Sequence, residues 1–344
     1  MRASPYATTL SDGRIRCEVC PHACVLGDGQ RGICRVRRRE GDAIRCDVYG
    51  CCSGLAIDPI EKKPLSHFLP GTSVLSFGTV GCNLRCRFCQ NWQLSHFDEL
   101  EGAGQPAEPA MIAQRAREQG CSGVAFTYND PVVFVEYAID TAVACHALDL
   151  ATVAVSAGYI HRQARADLFA HIDAANIDLK ALDDDFYRNW CGARLEPVLD
   201  TLRYIVHETD TWLEVTTLLV PGLNDAPEQV RTIAEWMHDQ LGGDVPWHLS
   251  AFHPAGEATD RARTPGSVVR RARDIAREVG MRFVYTGNIA DPTGMATSCP
   301  ACGQTLIERG WAGPARSTLG PDAGCPACGC TIPGIFRGHG NASL

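Results

Sequence analysis

The central part of the chain alternates between strand-like and helix-like segments, and this alternation restricts the fold more than any other feature. Runs rich in Val, Ile and aromatic residues are typical of buried strands, and segments with apolar residues at helical spacing separate them. The predicted strands are 73–80, 123–128, 151–156, 174–180, 212–220, 247–252 and 282–285, and the predicted helices are 109–119, 131–148, 167–171, 199–208, 226–240 and 268–279. Repeated strand–helix units form parallel sheets with helices outside. We therefore predict an α/β fold in which ligands bind where the strands end.

Length and composition are those of an ordinary soluble protein. The 344 residues, 45% of them hydrophobic and 21% charged, suffice for one large domain with small appendages. The net charge of −8 argues against nucleic acid as a partner. Because no run of about 18 apolar residues and no apolar N-terminal segment occur, we expect no membrane span and a cytoplasmic location. One basic run, 35–39, is either a solvated face or a docking patch for an acidic partner.

The 18 cysteines fall into groups at the two ends of the chain. Ten lie between Cys17 and Cys89, and five lie between Cys299 and Cys330. In a reducing cytosol, such groups are more often metal ligands and core residues than disulfides. The other three cysteines stand alone and are expected in the core: Cys121, Cys145 and Cys191.

Three cysteines share the loop that leaves the predicted strand 73–80, and their C-x3-C-x2-C spacing indicates a metal cluster. They are Cys82, Cys86 and Cys89. A 4Fe–4S cluster normally takes four thiolates, so three would leave one iron open to a small ligand. S-adenosylmethionine (SAM) can bind such an iron through its amino and carboxylate groups and supply radical chemistry that side chains lack. The alternatives are three core cysteines, or a zinc site with a hydrolytic or structural role.

The loop resembles the C-x3-C-x-aromatic-C signature of the radical SAM superfamily, with Phe88 at the aromatic position. Segments 17–24, 58–71, 78–86 and 89–92 together are similar to the radical SAM member of the three-protein AmmeMemoRadiSam system. The resemblance implies an incomplete (βα)6 TIM-like barrel and a 4Fe–4S cluster that cleaves SAM to a 5′-deoxyadenosyl radical. It also implies an electron donor such as flavodoxin or ferredoxin, partner proteins, and a protein or peptide substrate. Within the superfamily, the nearest activity is that of the pyruvate formate-lyase activase.

The same resemblance assigns cofactor contacts to residues at the predicted strand ends. The backbone near Phe88 is expected to contact adenine, and the candidates for positioning SAM are Asn129, Asp130, Ser156, Asp178, Lys180 and His253. Each has a structural alternative. Asp130 can cap the helix that begins at Pro131. Asp178 and Lys180 can form an ion pair with each other, and His253 can be a structural residue whose ring is hydrogen-bonded within the fold.

Two further cysteine sets are predicted metal sites. Cys17, Cys20, Cys24 and Cys34 are predicted to form a four-thiolate site for zinc or a second iron–sulfur cluster, with scattered structural cysteines as the alternative. The pair of C-P-x-C-G knuckles near the C-terminus predicts a zinc ribbon, with a rubredoxin-like iron as runner-up; its ligands are Cys299, Cys302, Cys325 and Cys328.

These features divide the chain into an N-terminal Cys-rich metal-binding module (1–70), a radical SAM partial barrel (71–290) and a C-terminal zinc-ribbon-like module (291–344). Both flanking modules are available to cover the barrel mouth. A second class of function is non-enzymatic, an iron–sulfur electron carrier or a metal-stapled interaction scaffold. The long series of strand–helix units disfavours it, because a carrier needs no such domain.

Overall fold

The computed structural model describes residues 3–96, 104–310, 315–320 and 322–336. Its strands are β1 (Ala7–Thr9), β2 (Ile15–Cys17), β3 (Val25–Leu26), β4 (Arg37–Glu40), β5 (Ala43–Cys46), β6 (Cys51–Pro59), β7 (Ser73–Gly78), β8 (Gln105–Pro106), β9 (Gly123–Phe126), β10 (Ala151–Ser156), β11 (Ala174–Asp178), β12 (Trp212–Leu219), β13 (Trp247–Ala251), β14 (Val284–Gly287), β15 (Thr297–Ser298), β16 (Thr305–Glu308) and β17 (Arg316–Ser317). Its α-helices are α1 (Trp92–Ser95), α2 (Pro109–Glu118), α3 (Val135–His146), α4 (Arg162–Phe169), α5 (Asp184–Phe186), α6 (Glu196–Glu208), α7 (Pro227–Leu241), α8 (Gly266–Val279) and α9 (Pro292–Met295).

A nine-stranded sheet forms the centre of the molecule, in the order β14-β13-β12-β11-β10-β9-β7-β6-β8. The strands from β14 to β7 are all parallel to their neighbours, whereas β6 runs antiparallel to β7 and β8 antiparallel to β6. Every residue of β9 is buried, as expected of parallel strands covered on both faces. The predicted α/β arrangement with a mostly parallel sheet is therefore confirmed, and the (βα)6 partial barrel stays a prediction.

The two largest departures from the predicted helix bounds have local reasons. The predicted helix 131–148 begins as a 3-10 turn, Pro131–Phe134, and continues as α3. The predicted helix 167–171 is α4, which starts five residues earlier, at Arg162. Its first turn is mostly polar and only Ala164 is buried there, so the apolar period by which a helix is recognised is missing. In the described part of the chain, no helix is both long and apolar enough for a bilayer span.

The N-terminal segment packs closely on the sheet. Its strand β6 belongs to the central sheet, and buried residues such as Ile15 and Val36 share one apolar core with it. Arg37, which the sequence places in an exposed basic run, is 1% exposed. Its Nη1 lies 2.7 Å from Oε1 of Glu136 in α3, and its Nε donates to the carbonyl oxygen of Val133. The alternation of β4 turns Arg37 inward, so a docking patch over 35–39 would lack its central charge.

The C-terminal ribbon packs at the end of the sheet where the parallel strands begin. Ile335 pairs with Phe68 and packs against a buried apolar cluster that includes Val74 and Ala174, each at or next to the first residue of its strand. The buried His67 joins the two parts, because its Nδ1 lies 2.6 Å from the carbonyl oxygen of Pro333. The expectation that the ribbon covers the mouth, where the strands end, is not met. Contacts with residues 66–71 hold the ribbon at the opposite end of the sheet, where the strands begin.

Candidate cluster and cofactor site

The loop that carries Cys82, Cys86 and Cys89 leaves the carboxyl end of β7, and two glycines allow its close packing. A Cβ atom at Gly78 would overlap the carbonyl oxygen of Thr127 at the end of β9. A Cβ at Gly81 would overlap the carbonyl oxygen of Cys34, and Gly81 has a φ of +83° that disfavours other residues. The start of the loop is therefore held between β9 and the N-terminal segment.

Asn129 fixes the path of this loop. Its Oδ1 accepts a hydrogen bond from the backbone N–H of Thr79, and its Nδ2 donates to the carbonyl oxygens of Val80 and Gly81 and to Oγ1 of Thr79. The residue is 7% exposed. The side chain that we expected to contact SAM thus bonds to the residues just before Cys82.

The three loop cysteines lie close enough to influence one another. Burial raises the pKa of the Cys82 thiol well above its usual range, and the neighbouring Asp130 carboxylate and the other two thiols add to the effect. The backbone N–H of Leu84 donates to Sγ of Cys82, and Sγ of Cys89 donates to Oγ of Ser95 at 3.5 Å. Their Sγ atoms are not gathered around one ion-sized point, since that arrangement occurs in the described residues only at the C-terminal set. Three cysteine thiols on one loop that lie farther apart than the ligands of a single metal ion fit three corners of a cubane 4Fe–4S cluster.

A fourth cysteine touches this group, and the sequence analysis did not place it there. The Cys191 thiol is fully buried at the end of a π-helical turn, Tyr187–Cys191, and its hydrogen bond with Cys86 is the main reason that the pKa of Cys86 is raised well above its usual range. The backbone N–H of Arg85 also donates to the carbonyl oxygen of Cys191. Cys191 stands alone in the sequence, so only the fold brings it here.

Asp130 and Ser156 lie together at the ends of β9 and β10. Asp130 caps the 3-10 turn by accepting from the N–H of Val132, as the structural alternative proposed. The same carboxylate accepts from Oγ of Ser156 at 2.9 Å and from the N–H of Ala157 at 2.8 Å. Burial raises the pKa of Asp130, although these three hydrogen bonds oppose the shift. A carboxylate held this way is oriented for a further cation, because it retains acceptor capacity.

Asp178 and Lys180 form an ion pair in which Nζ lies 2.7 Å from Oδ2. Burial alone would lower the pKa of Lys180, but the Asp178 carboxylate and the nearby Cys86 thiol hold it well above its usual range. The backbone of Lys180 is fixed on both sides, because its N–H donates to the Tyr187 hydroxyl and its carbonyl oxygen accepts from Nδ2 of Asn224 at 2.6 Å. The loop 219–225 therefore positions this lysine through Asn224.

Residues that follow β11 and β13 contact the loop that carries the three cysteines. Phe88 is 3% exposed and packs on Phe186. The N–H of Glu257 donates to the carbonyl oxygen of Arg87, and a Cβ at Gly256 would crowd the backbone of Arg87 and Cys89. His253, just before this contact, follows the end of β13 and makes no hydrogen bond to the described part of the chain.

The two outer cysteine sets also assemble as groups. At the C-terminus the four cysteine sulfurs lie within 4.8 Å of one another, with Cys299–Cys328 and Cys302–Cys325 contacts of 3.5 and 3.6 Å. Burial opposes the shift, but the backbone N–H groups of Cys302 and Ala301 lower the pKa of Cys299 to about 6. Cys17, Cys20, Cys24 and Cys34 line one small cavity in the N-terminal segment.

The central site thus joins soft sulfur donors to charged groups of both signs inside an apolar core. Asp130 interacts electrostatically with Cys82 and with Asp178, while Lys180 interacts with Cys86. Such a site can hold a metal cluster beside a zwitterion, because each charge of the ligand would find a partner that is shielded from water.

Comparisons with known proteins agree with this geometry. Residues 77–237 match the sequence profile of the radical SAM superfamily. An uncharacterized protein of Methanocaldococcus jannaschii is 40% identical over 309 residues, which cover 90% of this chain and 92% of the relative. The pyruvate formate-lyase-activating enzyme of Clostridium pasteurianum is 26% identical over 168 residues, which cover 48% of this chain and 69% of the relative.

A solved structure shares the fold at low identity. The crystal structure of Streptococcus suis SuiB bound to the precursor peptide SuiA superimposes with a TM-score of 0.50 at 16% identity, over 67% of this chain and 52% of that protein. With the profile match and the long relative, the chain belongs to the radical SAM superfamily, whose members use a 4Fe–4S cluster and SAM.

Proposed function

We propose that this chain reductively cleaves SAM at a 4Fe–4S cluster held by Cys82, Cys86 and Cys89, and that it acts on a protein or peptide substrate. The bound group would supply one-electron cleavage of SAM to methionine and a 5′-deoxyadenosyl radical. The observation that carries the proposal is the convergence of these cysteines with Asp130 and Lys180 from separate strand ends.

The charged side chains have complementary roles toward the amino acid part of SAM. Lys180 attracts the carboxylate, and Asp130 and Asp178 attract the amino group. Because Asp130 is buried, the Lys180 side chain is only 12% exposed, and both are already oriented by hydrogen bonds, little reorganisation accompanies binding. Ser156 orients Asp130, the backbone around Phe88 lies beside the adenine, and His253 completes the rim near the cluster.

A macromolecular substrate is supported by the relatives and by the sheet. Two matched relatives are named as activating enzymes, of pyruvate formate-lyase and of 4-hydroxyphenylacetate decarboxylase, although at 24–26% identity. The described sheet ends in β14 and β8, which are not paired with each other, and we propose that the substrate approaches through this gap. The electron comes from an external donor such as flavodoxin or ferredoxin, and the two AmmeMemoRadiSam partner proteins are themselves the first candidates for the protein substrate.

We assign zinc to the C-terminal set, in a structural role. The sulfur contacts of 3.5 and 3.6 Å suit four ligands at about 2.3 Å from one ion, which is the zinc–sulfur distance. Docking at the amino end of the sheet keeps this ion away from the chemistry.

Electron paramagnetic resonance (EPR) tests the open iron directly. The chain is reconstituted without oxygen, reduced with dithionite, and measured with and without SAM. The spectrum of the loop cluster is expected to change on addition of SAM and to disappear in Cys86→Ala. Cys121→Ala is the matched control, since this cysteine precedes β9 at the opposite end of the sheet. An unchanged spectrum with SAM would contradict the proposal.

Isotope transfer tests the substrate class separately. Each partner protein is prepared fully deuterated and added with SAM and reductant. Deuterium is expected in 5′-deoxyadenosine from one of them, because the radical abstracts hydrogen from its target. If neither protein donates deuterium, the partner assignment fails while SAM cleavage stands.

A further inference from the structure

The N-terminal cysteines form a cage that neither the fold nor the proposed reaction explains. Cys17, Cys20, Cys24 and Cys34 face one small cavity. They interact electrostatically with one another, so all four thiols are neighbours. Tight turns bring them together: Ala23 and Arg35, beside two of these cysteines, have left-handed φ angles of +46° and +69°.

The cage suits a ligand that binds several thiolates. The backbone N–H groups of Val19 and His22 donate to Cys17 and Cys20, and those of Val36 and Arg37 donate to Cys34. The buried guanidinium of Arg37 lines the cavity and offsets negative charge. Apolar side chains form much of the remaining wall, among them Val19, Ile33, Val132 and Val133.

The distances between the ligand sulfurs distinguish an iron–sulfur cluster from a single metal ion. Four thiolates at about 2.3 Å from zinc must lie within about 4 Å of one another. The sulfurs of the C-terminal set lie within 4.8 Å of one another, with two contacts of 3.5 and 3.6 Å, and in the described residues no other group of three or more potential ligands gathers so closely. The N-terminal set therefore resembles the set of Cys82, Cys86 and Cys89, whose ligands bind separate irons, and not the ribbon.

The cage touches the loop of the first cluster. Gly81, next to Cys82, packs against the carbonyl oxygen of Cys34, and Asn83, on the other side of Cys82, lines the cage. Nε2 of His22, inside the N-terminal set, lies 2.7 Å from the carbonyl oxygen of Asn83. Neighbouring Cα atoms are about 3.8 Å apart, so the two ligand sets meet through one residue on either side of Cys82.

We infer that Cys17, Cys20, Cys24 and Cys34 hold a second iron–sulfur cluster, which passes electrons to the cluster at Cys82, Cys86 and Cys89. The relay rests on the proposed function, whereas the second cluster stands without it. A low-potential one-electron protein donor is oxidised, the second cluster is reduced and then reoxidised, and the first cluster receives the electron. No bond or proton changes in this transfer. Four cysteines complete the ligation of the second cluster, so it binds no SAM.

Metal and sulfide analysis of the unaltered protein, reconstituted with iron, sulfide and zinc, tests the second cluster. We expect about eight irons, about eight sulfides and about one zinc per chain. About four irons, four sulfides and two zincs would overturn the inference, because zinc would then fill the cage.

Two variants and a control give an independent readout. The triple variant Cys82→Ala/Cys86→Ala/Cys89→Ala is expected to keep the second, reducible cluster. The double variant Cys20→Ala/Cys24→Ala is expected to lose that cluster, because these two partly exposed thiols are its ligands. Cys51→Ala, a partly exposed cysteine outside the set, is expected to keep both clusters. Loss of all iron from a folded triple variant would overturn the inference.

The relay is tested by the magnetic interaction of the two clusters. The EPR spectrum of the fully reduced protein is expected to be broader than the sum of the spectra of the two cluster variants, because the ligand sets touch. A spectrum equal to that sum would overturn the relay. If the triple variant holds its cluster but the unaltered protein does not cleave SAM, the proposed function fails and the second cluster stands.

Discussion

Nδ2 of Asn129 donates a 2.7 Å hydrogen bond to the carbonyl oxygen of Gly81, the residue immediately before the first cluster cysteine. The same amide also bonds to the backbone of Thr79 and Val80. The end of β9 thereby fixes the start of the cluster loop. Asn129 therefore influences the proposed cluster site by fixing the position of Cys82.

Replacement of Asn129 by alanine should therefore weaken cluster retention as well as the fold. Removing the amide leaves buried backbone groups unpaired, at about 1–3 kcal/mol of unfolding free energy. We expect lower iron per chain in Asn129→Ala after reconstitution and faster cluster loss during gel filtration. Asn176→Ala is the matched control, since Asn176 is also buried but bonds to Pro64. Equal iron retention in the two variants would contradict the role assigned to Asn129.

Loss of the Lys180 charge, on a side chain that is 12% exposed, should weaken SAM binding. Hydrogen bonds to charged groups contribute about 1.5–3 kcal/mol, so Lys180→Gln is expected to raise the Kd for SAM roughly tenfold to a hundredfold. Isothermal titration with the oxidised, cluster-loaded protein measures this affinity. Lys62→Gln provides a control, because this exposed lysine pairs with Asp58 away from the cluster loop. An unchanged Kd in Lys180→Gln would remove Lys180 from the SAM site.

Acidification should destabilise the docking of the ribbon through His67. Burial lowers the pKa of His67 to about 4, from about 6.5 in the unfolded chain. Its Nδ1–H donates to Pro333, which can only accept, and its Nε2 accepts from the hydroxyl of Tyr285. The unfolded state binds the proton more readily, so stability falls as the pH drops from about 6.5 to about 4, by an amount on the order of 3 kcal/mol.

The comparison with His67→Gln isolates this contribution. Urea unfolding of both proteins is measured at several values between pH 4.5 and 7. The unaltered protein should lose more stability on acidification than the variant, although the nearby Glu214 carboxylate reduces the effect. Parallel curves would show that His67 does not titrate in this range.

Removal of the ribbon metal should leave the cluster site intact. Cys302→Ser/Cys328→Ser changes the two exposed ligands of the C-terminal set. We expect the loss of about one zinc per chain and a lower thermal midpoint, because structural zinc stabilises small modules. The iron content and the EPR change with SAM should persist, since the ribbon docks at the amino end of the sheet. Loss of iron together with zinc would contradict this separation.

Local sequence patterns predicted the secondary-structure elements and singled out the groups of cysteines, but they did not predict the contacts that position them. The strand–helix alternation, the three-cysteine loop and the paired C-terminal knuckles are all readable from spacing over a few residues. The Cys191–Cys86 contact and the Asn224–Lys180 hydrogen bond join residues far apart in the sequence. Such pairs depend on how the strands order in the sheet, and one sequence carries no periodic signal for them.

The burial of charged side chains could not be predicted from the sequence either. Arg37 lies in a basic run that resembles a solvated face, yet it pairs with Glu136 in the core. Its inward direction follows from the alternation of β4, whose pairing with β5 is known only from the structure. The position of the ribbon depends likewise on His67, a single residue whose partners, Pro333 and Tyr285, are distant in the chain.

Formation of 5′-deoxyadenosine tests the central claim most directly. The reconstituted protein is incubated anaerobically with dithionite and SAM, and 5′-deoxyadenosine and methionine are quantified. We predict equal amounts of the two products in the unaltered protein and in Cys121→Ala, and none in Cys86→Ala. Absence of 5′-deoxyadenosine from a protein whose loop cluster is filled and reduced would contradict the assignment of radical chemistry to Cys82, Cys86 and Cys89.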